Sequence, residues 1–306
     1  MKIRIGTRSS KLALWQAYHI QDLLKNVGLE SELETFETKG DKILDRSLSK
    51  IGSKGLFTEE LEASLLAGET HIAVHSAKDL PSSLPQDLEI ICFTEREESH
   101  DVLVADQEID ISKPLVVGTS STRRIALLKH FYPQFEIVPM RGNLQTRIAK
   151  MRNGDCQALM LAYAGVHRMG YGDLIRHNFD KSEITPPVGQ GTLALEASVN
   201  LDPQIKQKII EACIHQETST CLFAERSFLR VMDGGCSVPI FCQASYEGST
   251  VTLSGGIVSL DGQKIIKVAG SSEEKDSVAL GEKLAHELLS KGGDVILTDI
   301  KKQLNI

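Results

Sequence analysis

The sequence predicts an α/β protein of two lobes hinged about a cleft, followed by a small α+β domain. Three observations carry this expectation. A strand–turn–helix pattern with an Arg-bearing turn occurs twice, at Gly6-Thr7-Arg8-Ser9-Ser10 and at Gly118-Thr119-Ser120-Ser121-Thr122-Arg123-Arg124. Strands and helices alternate around both turns, which indicates βαβ units and a mainly parallel sheet. Two connections, a Glu-rich one at residues 94–101 and a Pro/Gly-rich one at residues 186–191, let the chain leave the first lobe and return to it. Lobes joined in this way can close on a ligand.

The elements follow in order. Residues 2–6 read as the first strand. Leu12, Trp15 and Leu23 recur at helical intervals from Lys11 to Asn26, and Gly28 is placed to end that helix. Leu33, Thr35 and Glu37 alternate with Glu34 and Phe36 in a second strand. Residues 38–57, rich in Gly, Lys and Asp, form a loop long enough to be mobile and functional. A helix over 58–67 stops at Gly68, and the short strand Ile72-Ala73-Val74 delivers His75-Ser76-Ala77-Lys78-Asp79-Leu80-Pro81 at its end. Ligands of open α/β sheets sit beyond the carboxyl ends of strands, where Arg8 and the Lys78-Asp79 turn fall. The second block reads as strand 115–118, helix 121–130, strand 136–140, helix 143–152 and strand 158–161. Strand 193–195 and helices 203–214 and 218–232 then lead to Gly234-Gly235-Cys236. In the tail, strands 238–246, 250–259 and 264–269, with an Asp261-Gly262 hairpin signal, precede a helix over 274–290. The expected domains are 1–96 with 191–214, then 97–190, then 215–306.

Composition bounds the function. With 306 residues the chain exceeds one ordinary domain, and its 41% hydrophobic and 25% charged content is that of a globular protein. No apolar run approaches the roughly 18–20 residues of a membrane span. The sequence enters a strand from Lys2 without a signal or transit pattern, so a cytoplasmic location is expected. Cys92, Cys156, Cys213, Cys221, Cys236 and Cys242 lack metal-binding spacing and read as reduced thiols. His71 and His75, four apart on a strand, are expected to hold no metal. The net charge of −7 argues against general nucleic-acid binding. Residues 113–152, however, carry eight Lys/Arg against Glu136 alone, a local +7 within a chain whose remainder carries −14. A cationic segment in an acidic protein suits a small polyanion.

Chemistry is expected at the strand-to-helix junctions. A helix N-terminus offers free N–H groups and partial positive charge, and Ser, Thr and Arg placed there make an anion site. Arg123 and Arg124 fall in the first turn after one such junction, and Arg141 and Arg147 flank a helix start at Asn143. Arg8 faces them from the first lobe. The alternative is N-capping by Ser with solvent-facing Arg. Asp79 is open to three readings: a base, a stabiliser of positive charge, or a turn former before Pro81. Cys236, after two glycines, is either a buried structural thiol or an accessible one carrying a covalent group.

Taken together, these motifs resemble the porphobilinogen deaminase family over essentially the whole chain. Further matching segments are Lys39-Gly40-Asp41, Gly52-Ser53-Lys54-Gly55-Leu56-Phe57, Arg141-Gly142-Asn143-Leu144-Gln145-Thr146-Arg147 and Gly189-Gln190-Gly191. The resemblance implies two periplasmic-binding-protein-like (type II) lobes and a small domain bearing a cysteine. It implies a transferase that condenses four porphobilinogen molecules on a covalent dipyrromethane cofactor, joined by thioether to Cys236, releasing ammonia and then hydroxymethylbilane. By the same resemblance Asp79 is catalytic, Lys78, Arg123, Arg124, Asp41, Ser121 and Thr119 hold the cofactor, and Arg8, Ser10, Arg141, Arg147 and Gln190 hold the substrate. Lys50, Lys54 and Phe57 match the family's mobile loop. Thr122 and Ala77 depart from frequent family residues without touching these roles, and Cys242 receives none. The implied partner is a small molecule, with no metal, nucleic acid or membrane, and the chain is expected to act as a monomer. A competing reading, a non-catalytic carboxylate- or phosphate-binding receptor of the same two-lobed fold, usually exported, needs neither Cys236 nor a third domain.

Overall fold

The computed structural model describes residues 2–42, 58–233, 235 and 237–305, excluding the side chains of Asp41 and Lys42. Cys236, Lys50, Lys54 and Phe57 therefore lie outside the described residues. The first lobe begins with β1 (Ile3–Arg8), α1 (Lys11–Asn26), β2 (Ser31–Phe36) and the single turn α2 (Lys39–Lys42). It continues through α3 (Glu59–Leu66), β3 (Ile72–Ser76), a 3-10 turn over Ala77–Asp79 and β4 (Leu88–Phe93). The second lobe runs β5 (Asp101–Val104), β6 (Leu115–Gly118), α4 (Thr122–Phe131), β7 (Phe135–Val138), α5 (Leu144–Arg152), β8 (Ala158–Ala162), α6 (Tyr163–Arg168) and β9 (Ile175–Asn178). The chain then returns through β10 (Leu193–Ser198), α7 (Pro203–Cys213) and α8 (Gln216–Met232). It ends in β11 (Ile240–Glu247), β12 (Thr250–Val258), β13 (Ile265–Glu273), α9 (Ser277–Leu288) and α10 (Asp294–Leu304).

The two five-stranded sheets have one topology, β2-β1-β3-β10-β4 and β7-β6-β8-β5-β9. In each, the fourth strand is the first one formed after the chain crosses between lobes, and it runs antiparallel to both neighbours. This is the arrangement of periplasmic-binding-protein-like type II lobes. It also corrects the expectation of mainly parallel sheets, because half of the pairings in each sheet are antiparallel. Helical crossovers keep strands parallel, whereas a strand arriving from the other lobe enters against them. A third, antiparallel sheet, β11-β12-β13, belongs to the tail.

Local chemistry explains the elements. In α1, Ala13, Gln16, Ala17, Ile20 and Leu24 form the buried stripe, Ser10 caps the start, and Gly28 takes a positive φ of 77° just past the end. The first-lobe core gathers Ile5, Ile20, Leu24, Ile72, Leu193 and Leu195 around the sheet. Both faces of the second sheet are covered, one by Leu103, Val117 and Leu127 and the other by Val104, Ile148 and Leu159. The third core is built on Leu222, Phe228, Leu253 and Leu284, and it also takes in Ala77 and Leu80 from the first lobe. Among the described residues, no helix is long and apolar enough to cross a membrane.

Candidate active site

Two cross-lobe connections converge on one buried carboxylate. Asp101, fully buried at the start of β5, pairs with Arg123 Nη2 at 2.5 Å and with Arg124 Nη2 at 2.7 Å. Ser121 accepts the Arg124 N–H as N-cap of α4, so both guanidiniums leave the helix in its first turn. Neither reaches solvent: Arg123 is 5% and Arg124 7% exposed, so solvent-facing arginine does not describe them. Arg123 also donates to Thr185 O at 2.8 Å and Arg124 to Met160 O at 3.1 Å. Thr119 is buried beneath this turn, its hydroxyl oxygen accepting the Ser121 N–H at 3.3 Å.

Gln190 joins the lobes through the hinge. Its Nε2 donates to Asp101 Oδ1 at 2.9 Å and to Ser99 O at 2.7 Å, and its Oε1 accepts from Lys78 Nζ at 3.2 Å. The flanking glycines make this placement possible. Gly189 and Gly191 have φ of 76° and 92°, and a Cβ on them would lie 2.9 Å from Ala77 and 2.4 Å from Glu97 O. The hinge backbone thus lies directly against the turn that carries Lys78 and Asp79.

On that turn Asp79 is exposed at the cleft, within electrostatic reach of Lys78 and of Arg147 from the opposite lobe. Asn143 caps α5 by accepting the Thr146 N–H at 2.9 Å, and Arg147 Nε donates to Gly142 O at 2.7 Å, so Arg141 and Arg147 stand on either side of the cap. Arg8 ends β1 and Ser10 caps α1, accepting the Ala13 N–H at 3.3 Å. Both fall at the carboxyl edge of the sheet that presents Asp79. Asp41 belongs to the single turn α2.

The charges are out of balance. Among the described residues, Lys78, Arg123, Arg124, Arg141 and Arg147 face only Asp79 and Asp101 within this cluster. Burial and the Arg124 charge push the Lys78 ammonium down to about 8, against the pull of Asp79 and Asp101. Burial and repulsion from Arg124 and Arg141 bring Arg147 down to about 10, with Asp79 opposing. Burial alone would raise the Asp101 carboxyl, but Arg123 and Arg124 overcome it and hold it well below the usual carboxylate range. Arg124 Nε and Arg141 Nη1 are buried donors without a hydrogen-bond partner. Excess cation with orphaned donors is a site shaped for several carboxylates.

Two family models match in sequence. Residues 3–207 match the porphobilinogen deaminase, dipyromethane cofactor binding domain, and residues 219–290 match the porphobilinogen deaminase C-terminal domain. The chain belongs to the porphobilinogen deaminase family. A porphobilinogen deaminase from Desulfosudis oleivorans is 49% identical over 308 residues, covering 99% of both chains. One from Cytophaga hutchinsonii is 53% identical over 307 residues, covering 99% of this chain and 98% of its own. Among solved structures, the second substrate binding domain of a putative amino acid ABC transporter from Streptococcus pneumoniae aligns with a TM-score of 0.43 at 13% identity, over 69% of this chain and 91% of that one. The deaminase family's cofactor is a dipyrromethane, and the surplus of buried donors fits its carboxylates.

Several residues of this site had no local signal. Asp101 looked like the end of a polar connection, and only the fold brings it to Arg123 and Arg124. Arg168 has no local signal either. It ends α6, donates to Gly191 O at 2.7 Å and places its guanidinium 5.2 Å from the Trp15 ring centre in the other lobe. A basic residue ending a helix reads locally as a response to the helix dipole. His71 and His75 serve different partners, the Arg4 N–H at 2.9 Å and Glu196 at 2.9 Å. Cys92, Cys156, Cys213, Cys221 and Cys242 are free and buried, and burial pushes the Cys213 and Cys221 thiols up to about 12. These five are poor candidates for covalent attachment.

Proposed function

We propose that the protein is a transferase that condenses four porphobilinogen molecules head to tail on a covalent dipyrromethane primer. It releases one ammonia per condensation and then hydroxymethylbilane by hydrolysis, for heme or chlorophyll synthesis. The observation that supports this best is the cluster of five cations around Asp101 and Asp79, with its buried unpartnered donors. Each porphobilinogen brings two carboxylates, so the growing product is a polyanion. The bound cofactor supplies the nucleophilic pyrrole carbon on which the first condensation occurs.

The chain's own residues divide the remaining work. Lys78, Arg123 and Arg124, with Thr119, Ser121 and Asp41, form the cofactor side, and Arg8, Ser10, Arg141 and Arg147 hold the incoming substrate. Gln190 is engaged by protein at both ends of its amide and acts by fixing Lys78. When the substrate's aminomethyl C–N bond breaks, ammonia takes the electron pair and leaves a cationic pyrrole. Asp79 stands exposed at the cleft, where a carboxylate favours that cation. The three-domain division given above, a monomeric state and a cytoplasmic location belong to the same proposal, as does attachment at Cys236 and the participation of Lys50, Lys54 and Phe57.

Intact mass and ammonia release test this reading. The purified protein should exceed its chain mass by one dipyrromethane, on a peptide containing Cys236, and should release ammonia from porphobilinogen. Cys236→Ser should lack both properties. An unmodified chain that binds porphobilinogen without releasing ammonia would instead be a receptor.

A further inference from the structure

Two consecutive residues of α8 hold two different parts of the molecule. Glu225 is fully buried and takes one group from each crossover, Arg96 Nη1 at 2.5 Å and the Gly189 N–H at 2.8 Å, together with the Ala244 N–H of β11 at 2.8 Å. Arg226 reaches the first lobe, where its Nη2 donates to Pro81 O at 2.9 Å, just beyond the turn that carries Lys78 and Asp79. The apolar anchors of that turn point the same way. Ala77 and Leu80 are buried with Leu222 and Phe228 of α8, whereas the strand leading to them packs into the first-lobe core.

Beyond Pro81, Arg226 faces a buried carboxylate and imidazole. Glu196 of β10 and His75 of β3 are buried at 0% and 4% side-chain exposure, with Glu196 Oε2 2.9 Å from His75 Nε2. Arg226 lies within electrostatic reach of Glu196, and Glu62 of α3 faces the Glu196–His75 pair. The segment just beyond the turn is therefore tied to the α8 guanidinium.

We propose that Arg226 is a positioning residue for Asp79: through Pro81 it fixes the catalytic turn on the third domain, so that α8 sets where the carboxylate stands in the cleft. The proposal rests on the role assigned to Asp79 above. A planar guanidinium donates to that carbonyl in a fixed orientation, and a lysine ammonium keeps the charge but holds the carbonyl less rigidly. Displacement of a reacting group by about 1 Å costs on the order of 100-fold in rate.

The test compares Arg226→Gln and Arg226→Lys in the cofactor-loaded protein. Intact mass first establishes loading; a wild type that carries no cofactor and releases no ammonia defeats the functional reading itself, independently of Arg226. In Arg226→Gln, amide hydrogen exchange across residues 76–84 should accelerate about tenfold, with peptides of α1 and β6 unchanged. Ammonia release should show a fall in kcat of about 10- to 100-fold with KM within about twofold, and Arg226→Lys should recover part of it. If Arg226→Gln does not fold, the double variant Arg226→Met with Glu196→Gln removes both buried charges together and is read in the same way. Wild-type exchange in residues 76–84, acceleration spread over the whole chain, or equal losses in the Gln and Lys variants would overturn the proposal.

Discussion

Gln190 and Asp101 are joined by a 2.9 Å hydrogen bond that fastens the hinge to the second lobe, while the other end of the same amide holds Lys78 of the first. A cation, a neutral amide and a carboxylate thus form one chain across the cleft. Its consequence is that Arg123, Arg124 and Lys78 are oriented before any ligand arrives. Binding then costs little reorganisation, and the ligand's carboxylates meet donors already stripped of water.

Asp101→Asn tests the root of that chain. The change leaves two buried guanidiniums without their carboxylate. Removing one partner of a buried ion pair destabilises by about 3–5 kcal/mol. Melting temperature should therefore fall by roughly 6–20 °C, at about 2–4 °C per kcal/mol. Differential scanning calorimetry checks the stability and intact mass checks cofactor loading, which should drop with it. A melting temperature within about 2 °C of wild type would show that Arg123 and Arg124 do not depend on Asp101.

The Lys78 ammonium gives a pH signature. An unfolded lysine titrates at 10.5, whereas burial brings Lys78 down to about 8 in the folded, ligand-free chain. Between these values the unfolded chain holds a proton that the folded one has released, so this group's contribution to stability rises with pH from about 8 to about 10.5. Below pH 8 the charged form bears the full burial cost. A bound carboxylate reverses the preference, and binding above pH 8 must take up a proton. Dipyrromethane affinity of the cofactor-free Cys236→Ser chain should weaken as pH rises from 7 to 9, and adding Lys78→Arg should flatten that dependence. Titration calorimetry in buffers of different ionisation enthalpy measures the proton uptake directly.

Much of the architecture is legible in the sequence because its signals are local. The α1 stripe, the Ser10 and Ser121 caps and the Asp261-Gly262 hairpin each depend on neighbouring residues. Gly28, with its positive φ, marks its helix end in the same way. What the sequence hides is long-range. β5 and β9 are four residues each, too short for periodicity to mark, and their antiparallel entry is decided by the crossing between lobes. The first lobe's β4, α6 at the cleft and the final helix α10 also lacked a clear boundary signal. At the site, arginines after a Gly-Thr turn announce an anion, but their carboxylate partner lies more than twenty residues upstream. The Glu225 clamp on both crossovers is equally invisible, because Glu225 sits in an amphipathic helix where an acidic residue reads as surface.

Trp15 should report lobe movement. It is the only tryptophan in the chain, lies on α1 of the first lobe, stacks on His19 at 5.4 Å and carries the Arg168 guanidinium of the second lobe over its ring at 5.2 Å. Separating the lobes removes the cation and admits water, so emission should shift to the red when the cleft opens. Adding porphobilinogen to the loaded protein should change the emission, and Arg168→Gln should start red-shifted and respond less. Equal spectra and equal responses in the two proteins would detach Trp15 from the hinge.

Asp79→Asn isolates charge from shape. The side chain keeps its size and most of its hydrogen bonding but loses the negative charge that faces Lys78 and Arg147. At neutral pH the aminomethyl group of porphobilinogen is an ammonium, so ammonia leaves with little acid assistance. The step needs a negative partner for the cation that remains, and losing one contact made in the transition state costs about 100- to 1,000-fold. Single-turnover ammonia release by cofactor-loaded Asp79→Asn should fall by that amount. Stability should change little, because Asp79 is exposed and its turn is anchored by Ala77 and Leu80. Near-normal release would falsify the catalytic role, and so would a fall in melting temperature large enough to account for the lost activity. A slow variant that remains folded and loaded leaves charge as the property that Asp79 contributes.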